Sequence, residues 1–162
     1  MTTGVAQFTR PNNTTAYTAN DVVGRAGGVS AALEFQGMGP GDGDTLIIRG
    51  WSLRVDAAAV IASETTYTLH FYSVTPPSAL ADNAPFDVPA GDRAAYLGFL
   101  TSANIADLGS TLWVETNGLA KPVRPAGSSL FAYLVTAGAY TPTADRVYEV
   151  DIHVERAKNL DQ

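Results

Sequence analysis

Two histidines, His70 and His153, occupy the polar side of stretches in which apolar and polar residues alternate. Brought face to face across a sandwich they could begin a metal site, with carboxylates from Glu149 and Asp151 on the His153 side of its stretch. Alternating acidic residues are equally what a solvated strand face looks like, so both histidines read first as exposed side chains. Gly37, Gly39, Gly41 and Gly43 have the density of a phosphate-binding loop, yet they precede a strand rather than open a helix, and no Gly-Lys-Ser/Thr follows. Asp42 and Asp44 in that loop offer oxygen ligands suited to calcium, but the EF-hand spacing is missing and turns favour aspartate anyway. No cofactor is expected.

Hydrolytic chemistry fares no better. Asp82, Asp87 and Asp92 have the residue type for glycoside hydrolysis, but a spacing of five in a loop gives them no common face, and they read as turn caps. Gly50-Trp51-Ser52-Leu53-Arg54 approaches a nucleophile elbow without its closing glycine or its strand-to-helix turn. The absence of cysteine removes thiolate nucleophiles, Cys-based zinc sites and disulfides together. Trp51, Trp113 and the seven tyrosines are the stock of a sugar-stacking platform, although Trp51 continues an apolar face and reads as core or interface. The overlapping sequons in Asn12-Asn13-Thr14-Thr15 have meaning only on a secretory route. Each catalytic constellation is incomplete, so a non-enzymatic protein is expected.

The elements that would hold these residues are strands. Tyr148, Val150, Ile152 and Val154 alternate with Glu149, Asp151, His153 and Glu155, which is period two. Tyr67, Leu69 and Phe71 alternate with Thr66, Thr68, His70 and Tyr72 in the same way. Residues 45–56 place Trp51, Leu53 and Val55 on one face, and Gly50 predicts a bulge there. Residues 130–135 are apolar on both sides, as in a central strand covered on each face, or one whose outer face meets another subunit. Weaker strand signals cover 5–9, 21–25, 30–36, 95–100 and 111–116. Turn signals separate them at 10–13, 37–44, 75–78 and 89–92. Only 102–108 and 78–82 have room for a turn or two of helix. The prediction is all-β: a single-domain β-sandwich of about eight strands, jelly-roll-like.

At 162 residues with 46 % apolar and 16 % charged content, the chain suits one domain that buries its own core. Residues 1–16 are expected as an N-terminal arm or first edge strand, 17–158 as the sandwich and 159–162 as a C-terminal tail. The net charge of −6, with no Lys/Arg run, argues against nucleic acid or an anionic membrane as partner. No apolar run approaches the roughly 18 residues of a membrane span, and a soluble protein made in the cytoplasm is expected. Residues 74–93 form the longest strand-poor stretch, of a length that is commonly functional or packed on a neighbour.

FTRPNNTTAY at residues 8–17, followed by NDVVG at 20–24, resembles a recurrent opening of tailed-phage structural proteins, and PAGDRAAYLG at 89–98 resembles a second block of the same group. The blocks cover about a sixth of the chain. The resemblance implies a virion protein of the capsid decoration, or cement, kind, made in the host cytoplasm. Such a protein binds the outer surface of a phage capsid and clamps neighbouring subunits. Its implied partners are the major capsid protein and further copies of itself in a homotrimer. A tail or fibre module binding host-surface carbohydrate is the alternative. From the two blocks, Phe8, Arg10, Pro11, Tyr17, Arg93 and Tyr96 are expected at the interaction surface; no catalytic, cofactor or metal residue is implied.

Overall fold

A computed structural model describes residues 1–39 and 45–157. The calcium reading at Asp42 and Asp44 and the expected 159–162 tail lie outside the described residues. The described residues form ten strands: β1 (Thr2–Thr9), β2 (Val22–Val23), β3 (Leu33–Phe35), β4 (Leu46–Asp56), β5 (Tyr67–Tyr72), β6 (Tyr96–Thr101), β7 (Ala106–Asp107), β8 (Thr111–Val123), β9 (Leu130–Thr136) and β10 (Val147–Arg156). They form two antiparallel sheets. The first has the order β1-β10-β4-β8-β7; the second has the order β2-β9-β5-β6, with β3 also paired to β9.

Setting aside the two-residue strands β2 and β7, the remaining eight follow one rule. The chain runs out through β1, β3, β4 and β5 and returns through β6, β8, β9 and β10. Each outgoing strand pairs with its returning counterpart: β5 with β6, β4 with β8, β3 with β9, β1 with β10. The long hairpin is then wrapped so that β10 also pairs with β4 and β9 with β5. That wrapping is the jelly roll. The expected fold class is therefore observed, with the short strands β2 and β7 beyond the eight expected.

Alternation explains which face each strand buries. Leu46, Ile48, Trp51, Leu53 and Val55 of β4, Tyr67, Leu69 and Phe71 of β5, and Tyr148, Val150, Ile152 and Val154 of β10 all join one core between the sheets. Phe8 completes it from β1, its ring stacked on Tyr148 at 5.1 Å. The phase of β4 changes where predicted, with a register shift between Ile48 and Gly50 against β8. A Cβ on Gly50 would lie 2.9 Å from the Thr116 carbonyl oxygen, so the close backbone approach requires glycine. Helix is not formed at 102–108. Ala106–Asp107 instead pairs with β8, whose continuous edge offers backbone partners that so short a helix cannot supply internally.

A second apolar layer lies outside the second sheet. Val22, Tyr72, Tyr133 and Val135 are buried there, with Leu80 and Phe86 packed on them from residues 73–95. The long loop is thus a cover over its own sheet. β9 is apolar on both sides because the core lies on one and this cover on the other. Of the two alternatives for residues 130–135, the chain takes the first.

Candidate interaction surface

The cover is held by charged groups at one end. Arg10, fully buried, follows directly on β1. Its Nε donates to the Tyr17 hydroxyl at 3.0 Å, its Nη1 donates to the carbonyls of Asn13 at 2.6 Å and Thr143 at 3.3 Å, and its Nη2 lies 3.6 Å from Asp82 Oδ2. The Tyr17 hydroxyl donates to Asp82 Oδ1 at 2.6 Å, and the Gly24 amide donates to the same oxygen at 2.8 Å. Burial, reinforced by the bond to Asp82, pushes the Tyr17 phenol far above its ordinary range, so it remains a donor. A buried cation is tolerated because one carboxylate, one phenol and several carbonyls share it. Beyond Asp82 the loop runs beside β2: Val22 N donates to Ala84 O, Asn83 N to Val22 O and Phe86 N to Asn20 O, at 2.8–2.9 Å.

The loop is also tied to itself by Asp92, itself buried, which accepts from the amide and hydroxyl of Ser78. Tyr133 donates from below to the Ser78 carbonyl at 2.6 Å and accepts from the Leu80 amide at 3.1 Å. Under the cover run two cross-strand rows, Tyr133, His70, Phe99 and Phe131, Tyr72, Tyr96. The Phe86 ring lies 3.9 Å from the His70 ring, centroid to centroid, and His70 Nδ1 is 2.9 Å from the Tyr96 hydroxyl. Burial lowers the His70 pKa to about 4, so the ring is neutral at pH 7. The expectation of a solvated histidine is corrected here: the polar side of β5 is a second interior because residues 73–95 fold onto it. Phe99, 55 % exposed, is the open end of this aromatic stripe.

The outer face of the first sheet is open and ionic. Gln7, Glu149, Arg54 and Trp113 form one cross-strand row. Arg54 is ion-paired with both Glu149 and Asp151, and its guanidinium carbon lies 5.8 Å from the Trp113 ring centroid. His153 shares this face, 3.2 Å from the Thr3 hydroxyl. The two histidines therefore project from opposite outer faces with both sheets between them, which rules out a shared metal. No group of three or more His, Asp or Glu side chains among the described residues could hold one. Trp51 is wholly buried in the core, whereas Trp113 is half-buried.

Of the residues expected at an interaction surface, Phe8, Arg10 and Tyr17 lie inside the molecule, Pro11 and Tyr96 are half-buried, and Arg93 is exposed. The buried three act from within. Phe8 packs in the core, and Arg10 and Tyr17 hold an exposed rim at one end of the sandwich, where Pro11, Asn13, Thr15, Arg25, Gly28 and Asn83 border a shallow concavity. Val29, 53 % exposed, lies on the adjoining loop. Asp82, Asp92 and Ser78 were legible only as turn residues; nothing in their spacing announces the partners 14 to 65 positions away. Equally unannounced is the buried pair Arg146–Glu64 at 2.8 Å, whose carboxylate also accepts from Tyr67 at 2.6 Å.

Strand order, covered outer face and charge-locked loop define a jelly-roll β-sandwich. No family model matches the chain and no curated protein matches it. Among solved structures, similarity is found to the C-terminal CBM6 of LamC, a marine laminarinase from Zobellia galactanivorans, with 10 % identity over 91 % of this chain and 98 % of that one, and a TM-score of 0.31. The full particle of Israeli acute paralysis virus, heated to 63 degrees, is similar at 9 % identity over 99 % of this chain and 75 % of that one, with a TM-score of 0.32. The fold assignment rests on the strand pairing itself.

Proposed function

We propose that this chain is a non-enzymatic structural protein of a phage particle, bound to the outer surface of the capsid, where it clamps neighbouring capsid subunits. One observation carries the reading. The two blocks that resemble phage structural proteins, far apart in sequence, act on the same cover: Arg10 and Tyr17 hold Asp82, and Asp92 ties the loop to its own Ser78. Buried bonds of this kind hold a rigid rim, and the jelly roll is a frequent capsid fold.

The test is the copy number and position of the protein in purified particles. Many copies spread over the head support the reading, and a few copies at the tail overturn it. A substitution on the rim, Val29→Asp, is expected to weaken capsid binding without lowering the melting temperature. A second reading rests on Trp113, half-buried beside Arg54 on an open polar face, an arrangement suited to stacking on a sugar ring. Glycan-array binding abolished by Trp113→Ala would favour it over the first.

A further inference from the structure

Opposite charges that lie against a sheet normally settle into pairs that use their donors and acceptors fully. On the outer face of the first sheet they do not. A single nitrogen, Arg54 Nη2, serves both Glu149 and Asp151, while Arg54 Nε, although buried, has no acceptor and Asp151 Oδ1 has no donor among the described residues. Asp151 is only 8 % exposed, so that oxygen is cut off from water as well. A guanidinium and a carboxylate meet best as a two-bond fork. Turning Arg54 onto Asp151 alone, with Nε and Nη2 against the two oxygens, gives both unpaired atoms a partner and releases Glu149.

Glu149 borders a shallow concavity with Gln7, Arg54, Asp56, Thr111 and Val147. It lies where Val147 pairs with Thr9, just before the chain turns into Arg10, and so at the end of the sandwich that carries the rim. Asp56 is exposed, and its carboxylate has no partner among the described residues. Glu149 pairs with Arg54, two residues from Asp56 on the neighbouring strand, a diagonal of about 7–8 Å that one cation can bridge. Glu115, further along the face, is likewise exposed and unpaired, whereas Arg49 and Glu155 compensate each other. Asp56, Glu115, Glu149 and Asp151 therefore share one cation, Arg54. Uncompensated negative charge selects a basic partner. We propose that the concavity receives a lysine or arginine side chain of a subunit that the chain clamps. The aliphatic stem lies on Val147 and the cation sits between Asp56 and Glu149, while Arg54 moves wholly onto Asp151. Arg54 is then the internal stand-in for the partner's cation. This contact presupposes the reading of the chain as a subunit-binding protein, and it adds a second surface beside the rim.

The test adds purified chain back to particles stripped of it and measures binding by sedimentation over a range of salt. Asp56→Lys should raise the dissociation constant on the order of tenfold or more. Its melting temperature should match the wild type, because the Asp56 carboxylate bonds nothing. Asp87→Lys, exposed on the cover of the opposite face, changes the net charge equally and should bind like the wild type. Added salt should weaken wild-type binding more than that of Asp56→Lys. Arg54→Met supplies a readout that a structural role would not move: it removes the competitor for Glu149, so binding should tighten although the fold is destabilised. Asp56→Lys binding as tightly as the wild type, Asp87→Lys losing as much as Asp56→Lys, or Arg54→Met losing binding together with stability would each overturn the proposal and leave the capsid reading standing. Binding that a neutral glycan displaces and Asp56→Lys leaves intact would overturn it in favour of the sugar reading. A wild-type chain that does not return to stripped particles would overturn both the proposal and the capsid reading.

Discussion

Arg10→Met and Arg93→Met remove one guanidinium each from the two phage-like blocks and should have opposite outcomes. Arg10 is fully buried, and its loss strips partners from the Asn13 and Thr143 carbonyls, the Tyr17 hydroxyl and the Asp82 carboxylate at once. Breaking a buried, hydrogen-bonded charge pair costs about 3–5 kcal/mol. For a chain of 162 residues each kcal/mol shifts the melting temperature by about 2–4 °C, so a fall of about 6–20 °C is expected. Arg93 is exposed, and its removal should stay within about 0.5 kcal/mol. Calorimetry at pH 7 measures both. Hydrogen exchange adds the location: in Arg10→Met the amides of Val22, Asn83 and Phe86, which bond the cover to Asn20 and Val22, should exchange faster before those of the central strands do. If Arg10→Met melts with Arg93→Met, or loses protection evenly throughout, the lock does not hold the cover and the argument fails.

His70 supplies a pH dependence of known sign. Its folded pKa of about 4 lies below the ordinary 6.5, so between those values the unfolded chain binds more protons and stability falls as pH drops from about 6.5 to about 4, with no His70 contribution above. His70→Gln should flatten that part of the stability curve; parallel wild-type and variant curves would contradict the burial of the ring. Gly24→Ala should destabilise by about 1–3 kcal/mol, since the new methyl would stand 2.2 Å from the Ala31 Cβ, whereas Gly91→Ala, with nothing within 4 Å, should be neutral in thermal melts. Arg54→Met leaves the buried Asp151 carboxylate without its cation and should cost about 1–3 kcal/mol by denaturant titration; an unchanged midpoint would mean that the pair contributes nothing.

Local pattern made most of the scaffold readable in advance. Period-two alternation marked β4, β5 and β10 and put Trp51 on an apolar face, core or interface, because side chains on a strand point to alternate sides whatever lies beyond them. Gly50 announced its bulge for the same reason. The helix at 102–108 failed because the choice between a short helix and a strand depended on a free edge of β8, which no local window contains. His70 looked solvated and Arg10 looked like a surface contact by the same limitation. Polarity along a strand shows which side faces away from the core, but not whether another segment folds over it. The chain by itself determined an all-β sandwich with no complete catalytic signature. Only tertiary structure decided that residues 73–95 cover the second sheet, that Arg10 and Asp82, 72 positions apart, meet inside, and that β1 is left with an open edge. Those outcomes depend on pairings between distant segments, whose energies exist only once the hairpin has been wrapped.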